Sequence, residues 1–312
     1  MMLDVVPVVQ RLVPGLLKGA RPSVACVCTT RPKYLVFDGD PDRPACVVEF
    51  GDADRLLRTD RILSELSPRL PLNVPASLCC TSWPNGTYVH VQEGLRGVPW
   101  FRVADRIAGA GAWRSLLQRA VTAMLDLHAA TRQVAAWTGS LHVGAELRRQ
   151  ADLCERHGYP LASSVRERVR AWSASIDATG LRHSCWQHGD FSLNNLLVGP
   201  ASIAIIDFEE FGGTLVPLHD AFGLALSVRL SQTGCPLSLQ DCIRPNIARA
   251  RMDEAVGIAD LPGLLMHHLL WRLNQCHGLE RRAALGRAML EWAHDLARDP
   301  RQFFGSNEEA IR

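Results

Sequence analysis

Between residues 23 and 50 the chain carries three short β-prone runs, VACVCTT, YLVFD and ACVVEF, separated by the turn formers Arg31-Pro32-Lys33 and Asp38-Gly39-Asp40-Pro41. That punctuation predicts an antiparallel meander. The period then changes: in ADRLLRTDRILSEL, residues 53–66, leucine and isoleucine recur at helical spacing, so an amphipathic helix follows the third strand directly. Strand character returns from 73 to 93, with Asn85-Gly86 as a hairpin turn between SLCCTSW and TYVHVQE. Residues 1–20 form a short amphipathic lead-in expected to pack on the outside of this lobe.

Beyond residue 94 the pattern is helical. Apolar stripes run through residues 115–130, 141–157, 163–179, 261–279 and 281–297, and the arginine-rich outer faces of the second and third are expected to be solvated. One stretch breaks this series: CWQHGDFSLNNLLVGPASIAIIDFEEFG, residues 185–212. Its Leu196-Leu197-Val198 and Ile203-to-Ile206 runs, divided by Gly199-Pro200, predict a buried hairpin. Asn195 precedes the first strand and Asp207 follows the second, so the hairpin returns the carboxylate to the neighbourhood of the amide oxygen. Such a hard-oxygen pair suits Mg²⁺, which takes few protein ligands and leaves positions open for phosphate and water. Asp190 lies earlier, on a loop opened by His188-Gly189, where a carboxylate can face a substrate hydroxyl. Phosphoryl transfer needs that division of labour between a group that orients the nucleophile and groups that hold the metal.

The run His188-Gly189-Asp190-Phe191-Ser192-Leu193-Asn194-Asn195, followed by Ile206-Asp207-Phe208-Glu209, resembles the catalytic loop and metal-binding motif of the aminoglycoside phosphotransferase/choline kinase-like family, relatives of the protein kinases. The resemblance implies an α+β, protein kinase-like fold of two lobes: a small antiparallel-sheet lobe that binds nucleotide, residues 1–93, and a mainly helical lobe, residues 94–312, with the catalytic loop and metal site. By the same match Asp190 resembles the catalytic base, and Asn195 and Asp207 the metal ligands, with ATP and Mg²⁺ as cofactors. The partner implied is a small-molecule hydroxyl acceptor: an aminoglycoside-like or other antibiotic, a sugar, or an amino alcohol. Gln92, Glu93 and Leu95 then belong to the hinge whose backbone pairs with an adenine edge, and LDLHAAT, residues 125–131, is similar to the helix ahead of the catalytic loop. Asp220 is expected to support that loop and His188 to hold it structurally, with Ser192 close to the substrate. Glu209 and Glu210 stand either behind the metal or facing a cationic acceptor.

One position departs from the family. Its phosphate-anchoring lysine sits on the third strand of the small lobe, and there this chain has Glu49, in CVVEF. A carboxylate at that place repels phosphate, and the turn before the second strand has no glycine. Lysine is scarce, at positions 18 and 33 only, so Lys33 or Arg31 is expected to supply the missing charge. The alternative is a catalytically impaired kinase-like protein that binds nucleotide or ligand, or regulates. Intact Asp190, Asn195 and Asp207 favour the active transferase.

Composition narrows the partners. A chain of 312 residues with 47% hydrophobic and 21% charged residues has room for a sizeable core, and its net charge of +2 gives no reason to expect nucleic acid or an anionic membrane. The ten cysteines are scattered without a C-x-x-C pair, and no apolar run is long enough to span a bilayer. The amino-terminal apolar residues are interrupted by Asp4, Pro7 and Pro14 without a preceding basic region, so a cytoplasmic protein is expected.

Overall fold

In the computed structural model the described residues are 4–19, 21–27, 31–71, 73–181, 185–200, 202–230 and 237–304. They fall into two compact units, one of residues 1–106 with 194–210, the other of 107–193 with 211–312. The expected lobe boundary at Glu93 therefore lies inside the first unit, which also takes the hairpin from the middle of the chain.

The first unit begins with α1 (Val6–Leu12), whose Pro7 sits in the first turn where its missing N–H leaves no bond unmade. The meander follows as β1 (Ser23–Val27), β2 (Lys33–Phe37) and β3 (Cys46–Gly51). Next come α2 (Ala53–Leu66), β4 (Ser77–Trp83) and β5 (Thr87–Glu93). The five strands form one antiparallel sheet in the order β1-β2-β3-β5-β4. Alternation gives it two faces. Val36, Cys46, Val48, Val89 and Val91 are buried beneath Val8 and Val9 of α1 and Val5 just ahead of it. The opposite set includes a row of directly paired residues, Lys33, Glu49 and His90. Asp52 caps α2, its carboxylate accepting from the Arg55 amide at 2.9 Å, and Leu56, Ile62, Leu63 and Leu66 are buried on the inward stripe.

The unit continues through β6 (Val98–Pro99) and the one-turn α3 (Trp100–Val103). The predicted hairpin is present as β7 (Leu196–Val198) and β8 (Ile203–Ile205), and β6 adds a third strand beside β7.

In the second unit α4 (Gly109–Arg132) is followed by the neighbouring pair α5 (Val143–Arg156) and α6 (Ser163–Thr179). After the catalytic-loop segment come α7 (His219–Leu230), α8 (Leu239–Asp253), α9 (Leu261–Gln275), α10 (Ala283–Arg298) and α11 (Arg301–Phe304). Helix α9 is buried on nearly every side, from Leu261 to Asn274, as its almost uninterrupted apolar sequence requires. No helix among the described residues is long and apolar enough to cross a membrane. Among those residues the cysteines form no disulfide.

Candidate active site

The catalytic-loop segment is fixed in the second unit by its backbone. The Trp186 amide donates to Trp137 O at 2.9 Å, and the Gly212 amide to Gln187 O at 2.8 Å. The indoles of Trp137 and Trp186 stack with centroids 5.5 Å apart. Gly212, at φ +75°, lies against the Trp186 ring where a Cβ would collide with it. Beyond these anchors the loop turns at Gly189, whose φ of +82° suits glycine.

Asp220, at the start of α7, holds that turn. Its carboxylate accepts the His188 amide at 2.7 Å and the Gly189 amide at 3.0 Å. The same carboxylate meets His128 Nε2 at 2.9 Å, and His128 Nδ1 lies 3.3 Å from Glu254 Oε1. Glu254 in turn accepts the Leu218 amide at 2.9 Å, at a residue with φ +61°. All three side chains of this carboxylate–imidazole–carboxylate row have no solvent exposure. Burial opposes charge on His128, but its bonds to Asp220 and Glu254 outweigh that and raise its pKa to about 9. Asp220 is lowered despite burial, because of His128 and the amides it accepts. His188 itself is buried, its ring edge-on to Phe191.

With the turn so fixed, Asp190 extends toward α9 and its Oδ1 accepts from Arg272 at 2.9 Å. Asp190, Ser192, Ser227 and Arg272 line one recess, closed on its apolar side by Leu226, Leu285 and Met289. The neighbouring His219 and His268 are held neutral by burial, well below the usual imidazole pKa.

The other predicted residues lie in the first unit. The Ile206 amide donates to Asn195 O at 3.0 Å, so the two ends of the β7–β8 hairpin meet as the sequence pattern requires. Asp207 takes φ +67°, a left-handed conformation that aspartate tolerates better than most residues. Lys33 Nζ stands 3.2 Å from Asp207 Oδ1 and 3.8 Å from Glu209 Oε1. Glu209 gathers further cations: Arg31 reaches it at 2.7 Å, Arg55 at 3.1 Å, and Arg58 donates to its carbonyl at 2.9 Å. Arg55 also pairs with Glu49 at 2.5 Å, and Glu49 is 3% exposed. Burial disfavours the ammonium of Lys33, yet Asp207, Glu49 and Glu209 together raise its pKa above the ordinary value. Glu210 is half-buried at the end of the same turn.

Asn195 and Asp207 supply oxygen donors only, the chemistry that Mg²⁺ prefers, and no group of three or more His, Cys, Asp or Glu among the described residues competes as a metal cluster. In the hinge, Glu93 N donates to Ala76 O at 2.8 Å and Gly94 N to Ala45 O at 3.3 Å. Arg43 bonds both Glu93 Oε1, at 2.6 Å, and Gly94 O, at 2.9 Å. Gln92 pairs with Val47 and Ser77 in the sheet, and Leu95 is buried. Residues 28–30, the first part of the turn before β2, lie outside the described residues.

Sequence reasoning missed Arg55, Arg272 and Glu254. Arg272 carried a signal, an arginine inside an otherwise buried apolar helix, where an ionised group needs a partner. Arg55 carried one too, a cation one turn into the helix that follows Glu49.

No protein of curated function matches the sequence. A thermostable mutant of aminoglycoside phosphotransferase APH(4)-Ia, solved with ADP and hygromycin B, is similar at TM-score 0.60 and 14% identity, over 89% of this chain and 94% of that one. A choline/ethanolamine kinase family protein from Mesorhizobium loti is similar at TM-score 0.60 and 16% identity, over 100% and 99%. Aminoglycoside phosphotransferase APH(3'')-Id from Streptomyces rimosus, solved with ADP and streptomycin, is similar at TM-score 0.53 and 18% identity, over 86% and 99%. These likenesses show the kinase-like α+β fold. The model of the phosphotransferase enzyme family matches residues 31–255, which span both the Lys33 row and the catalytic loop, and this chain belongs to that family.

Proposed function

We propose that the protein transfers the γ-phosphoryl group of ATP, with Mg²⁺, to a hydroxyl of a small molecule. The observation that carries this reading is the held catalytic turn, in which a fully buried Asp220–His128–Glu254 row fixes the backbone that aims Asp190 into a recess. Asp190 orients the acceptor hydroxyl and takes its proton as the oxygen bonds to the γ-phosphorus and the bond to the β,γ-bridging oxygen breaks, releasing ADP, and Arg272 fixes the orientation of that carboxylate. Asn195 and Asp207 would hold Mg²⁺, whose charge would offset that on the transferring phosphoryl group. Lys33 and Arg31 meet the phosphates, and the hinge at Gln92, Glu93 and Leu95 faces the adenine. Serine hydroxyls of Ser192 and Ser227 give the recess hydrogen-bonding capacity toward an acceptor.

The acceptor class is an aminoglycoside-like or other antibiotic, a sugar, or an amino alcohol. The solved relatives with hygromycin B and streptomycin support the first of these as a class. The competing reading, an impaired nucleotide- or ligand-binding protein, was motivated by Glu49. It is weakened by the pairing of Glu49 with Arg55 and by Lys33 beside Asp207. A cytoplasmic setting fits this cofactor use.

Asp190→Asn tests the reading. The variant is expected to keep MgATP binding within about threefold while transfer to the acceptor found by screening falls by roughly 10²- to 10⁴-fold. Full transfer by the variant would refute the assignment of the base.

A further inference from the structure

We propose that the phosphate-anchoring ion system of this chain is transposed. Lys33 on β2 takes the place that the family gives to a lysine on β3, and the ion pair that ties strand to helix runs with its charges exchanged, from Glu49 on β3 to Arg55 on α2. This rests on the phosphotransferase reading and deepens it.

The register makes the exchange geometrically simple. Lys33 and Glu49 are direct partners in the antiparallel β2–β3 ladder, so their side chains rise from the same face at neighbouring points. A long side chain from either strand therefore reaches the same space. Lys33 does so: its Nζ is 3.2 Å from Asp207, the residue assigned to the metal. In kinases the β3 lysine is steadied by a glutamate of the following helix. Here the strand contributes the carboxylate and the helix the guanidinium, at 2.5 Å, with Arg55 placed by the capped first turn of α2. Glu49 is 3% exposed, and its burial disfavours the charged carboxylate; Lys33 and Arg55 both offset that, so the cation at position 55 supports glutamate at 49 from the helix side while Lys33 does so from the strand side. A lysine at 49 would instead face Arg55 as a like charge.

Glu209 completes the system. Its carboxylate is held by Arg55 at 3.1 Å and also meets Arg31 at 2.7 Å and Lys33 at 3.8 Å, and these last two are the cations available to phosphate oxygens. Lys33, in a strand with a fixed backbone and 22% side-chain exposure, is better placed to anchor than Arg31, which is 47% exposed. Glu49 and Arg55 are positioning residues and touch no phosphate.

Calorimetric titration with MgATP tests this. Lys33→Met is expected to raise Kd at least ~10-fold while the circular dichroism spectrum stays that of wild type, and Lys33→Arg is expected to retain most of the affinity. The triple variant Lys33→Met, Glu49→Lys, Arg55→Glu restores the family arrangement and is expected to regain binding that Lys33→Met alone loses. Wild-type or tighter affinity in Lys33→Met would overturn the proposal, showing that Lys33 merely blocks Asp207. Equal loss in the methionine and arginine variants would also overturn it, as would a folded triple variant that regains nothing. Failure of the wild-type protein to bind MgATP would instead refute the phosphotransferase reading, and this proposal with it.

Discussion

His128 is a buried imidazole between two buried carboxylates, and its protonation state sets how firmly the catalytic turn is held. Its pKa is about 9 in the folded chain against an ordinary 6.5, so the folded state binds this proton more tightly. The stability it contributes is therefore full below about pH 6.5 and is lost as pH rises from there through about 9. The loss is on the order of 3 kcal/mol. Asp220, lowered, and His219, His267 and His268, kept neutral by burial, act on the acid side of that window. Cys46 and Cys154, pushed up to about 12 by burial, act above it. Melting curves from pH 6.5 to 9 are expected to fall more steeply for wild type than for His128→Asn; parallel profiles would contradict the assignment. Legibility at this scale followed chemistry. Asp190, Asn195, Asp207 and Asp220 stood out because their motif fixes order and spacing. Arg55, Arg272 and Glu254 did not, because an ion pair across distant elements leaves no mark at either residue alone.

Elements with a clean period were legible, and those built on competing signals were not. The five strands of the first sheet, α2 and the β7–β8 hairpin lie where alternation and turn residues put them. Helix α4 begins at Gly109, ahead of the expected 115, because Gly109 and Gly111 disguise its first turn. Helix α8 was not foreseen. Pro245 lies within it and argues against a helix, although Ser238 and Asp241 form a capping box at its start. Strand β6 has two residues and ends in proline, too little for any periodicity. Packing between helices adds a constraint that periodicity does not reveal: Gly144 of α5 faces the Ser173 carbonyl of α6, and a Cβ there would come within 2.5 Å of it. Gly144→Val is expected to cost about 1–3 kcal/mol of stability and leave MgATP affinity unchanged, read by denaturant unfolding and calorimetry. Wild-type stability in that variant would mean that α5 and α6 leave room for a side chain at Gly144.

At the scale of the whole chain, the candidate chemistry is divided between the two units. Asp190, Arg272 and the buried row behind the catalytic turn belong to one, and Asn195, Asp207, Lys33 and the cations gathered on Glu209 belong to the other. The chain crosses between them at Leu193 and Asn194, inside the motif itself, so a single run of sequence carries Asp190, the proposed base, and Asn195, a proposed metal ligand, into different units. That placement explains why one motif disclosed so many of the candidate residues: Lys33 and Arg31 were expected from the missing strand lysine, while Arg55 emerges only from its contacts with Glu49 and Glu209. Asp207 joins the metal and phosphate halves of this chemistry, since it is a proposed metal ligand and the partner of Lys33. Titration of MgATP into wild type and Asp207→Ala, with and without Mg²⁺, is the most direct test. Metal-dependent binding by wild type and its loss in the variant are expected; no binding by wild type at millimolar nucleotide, or equal affinity in both proteins, would refute the role of Asp207.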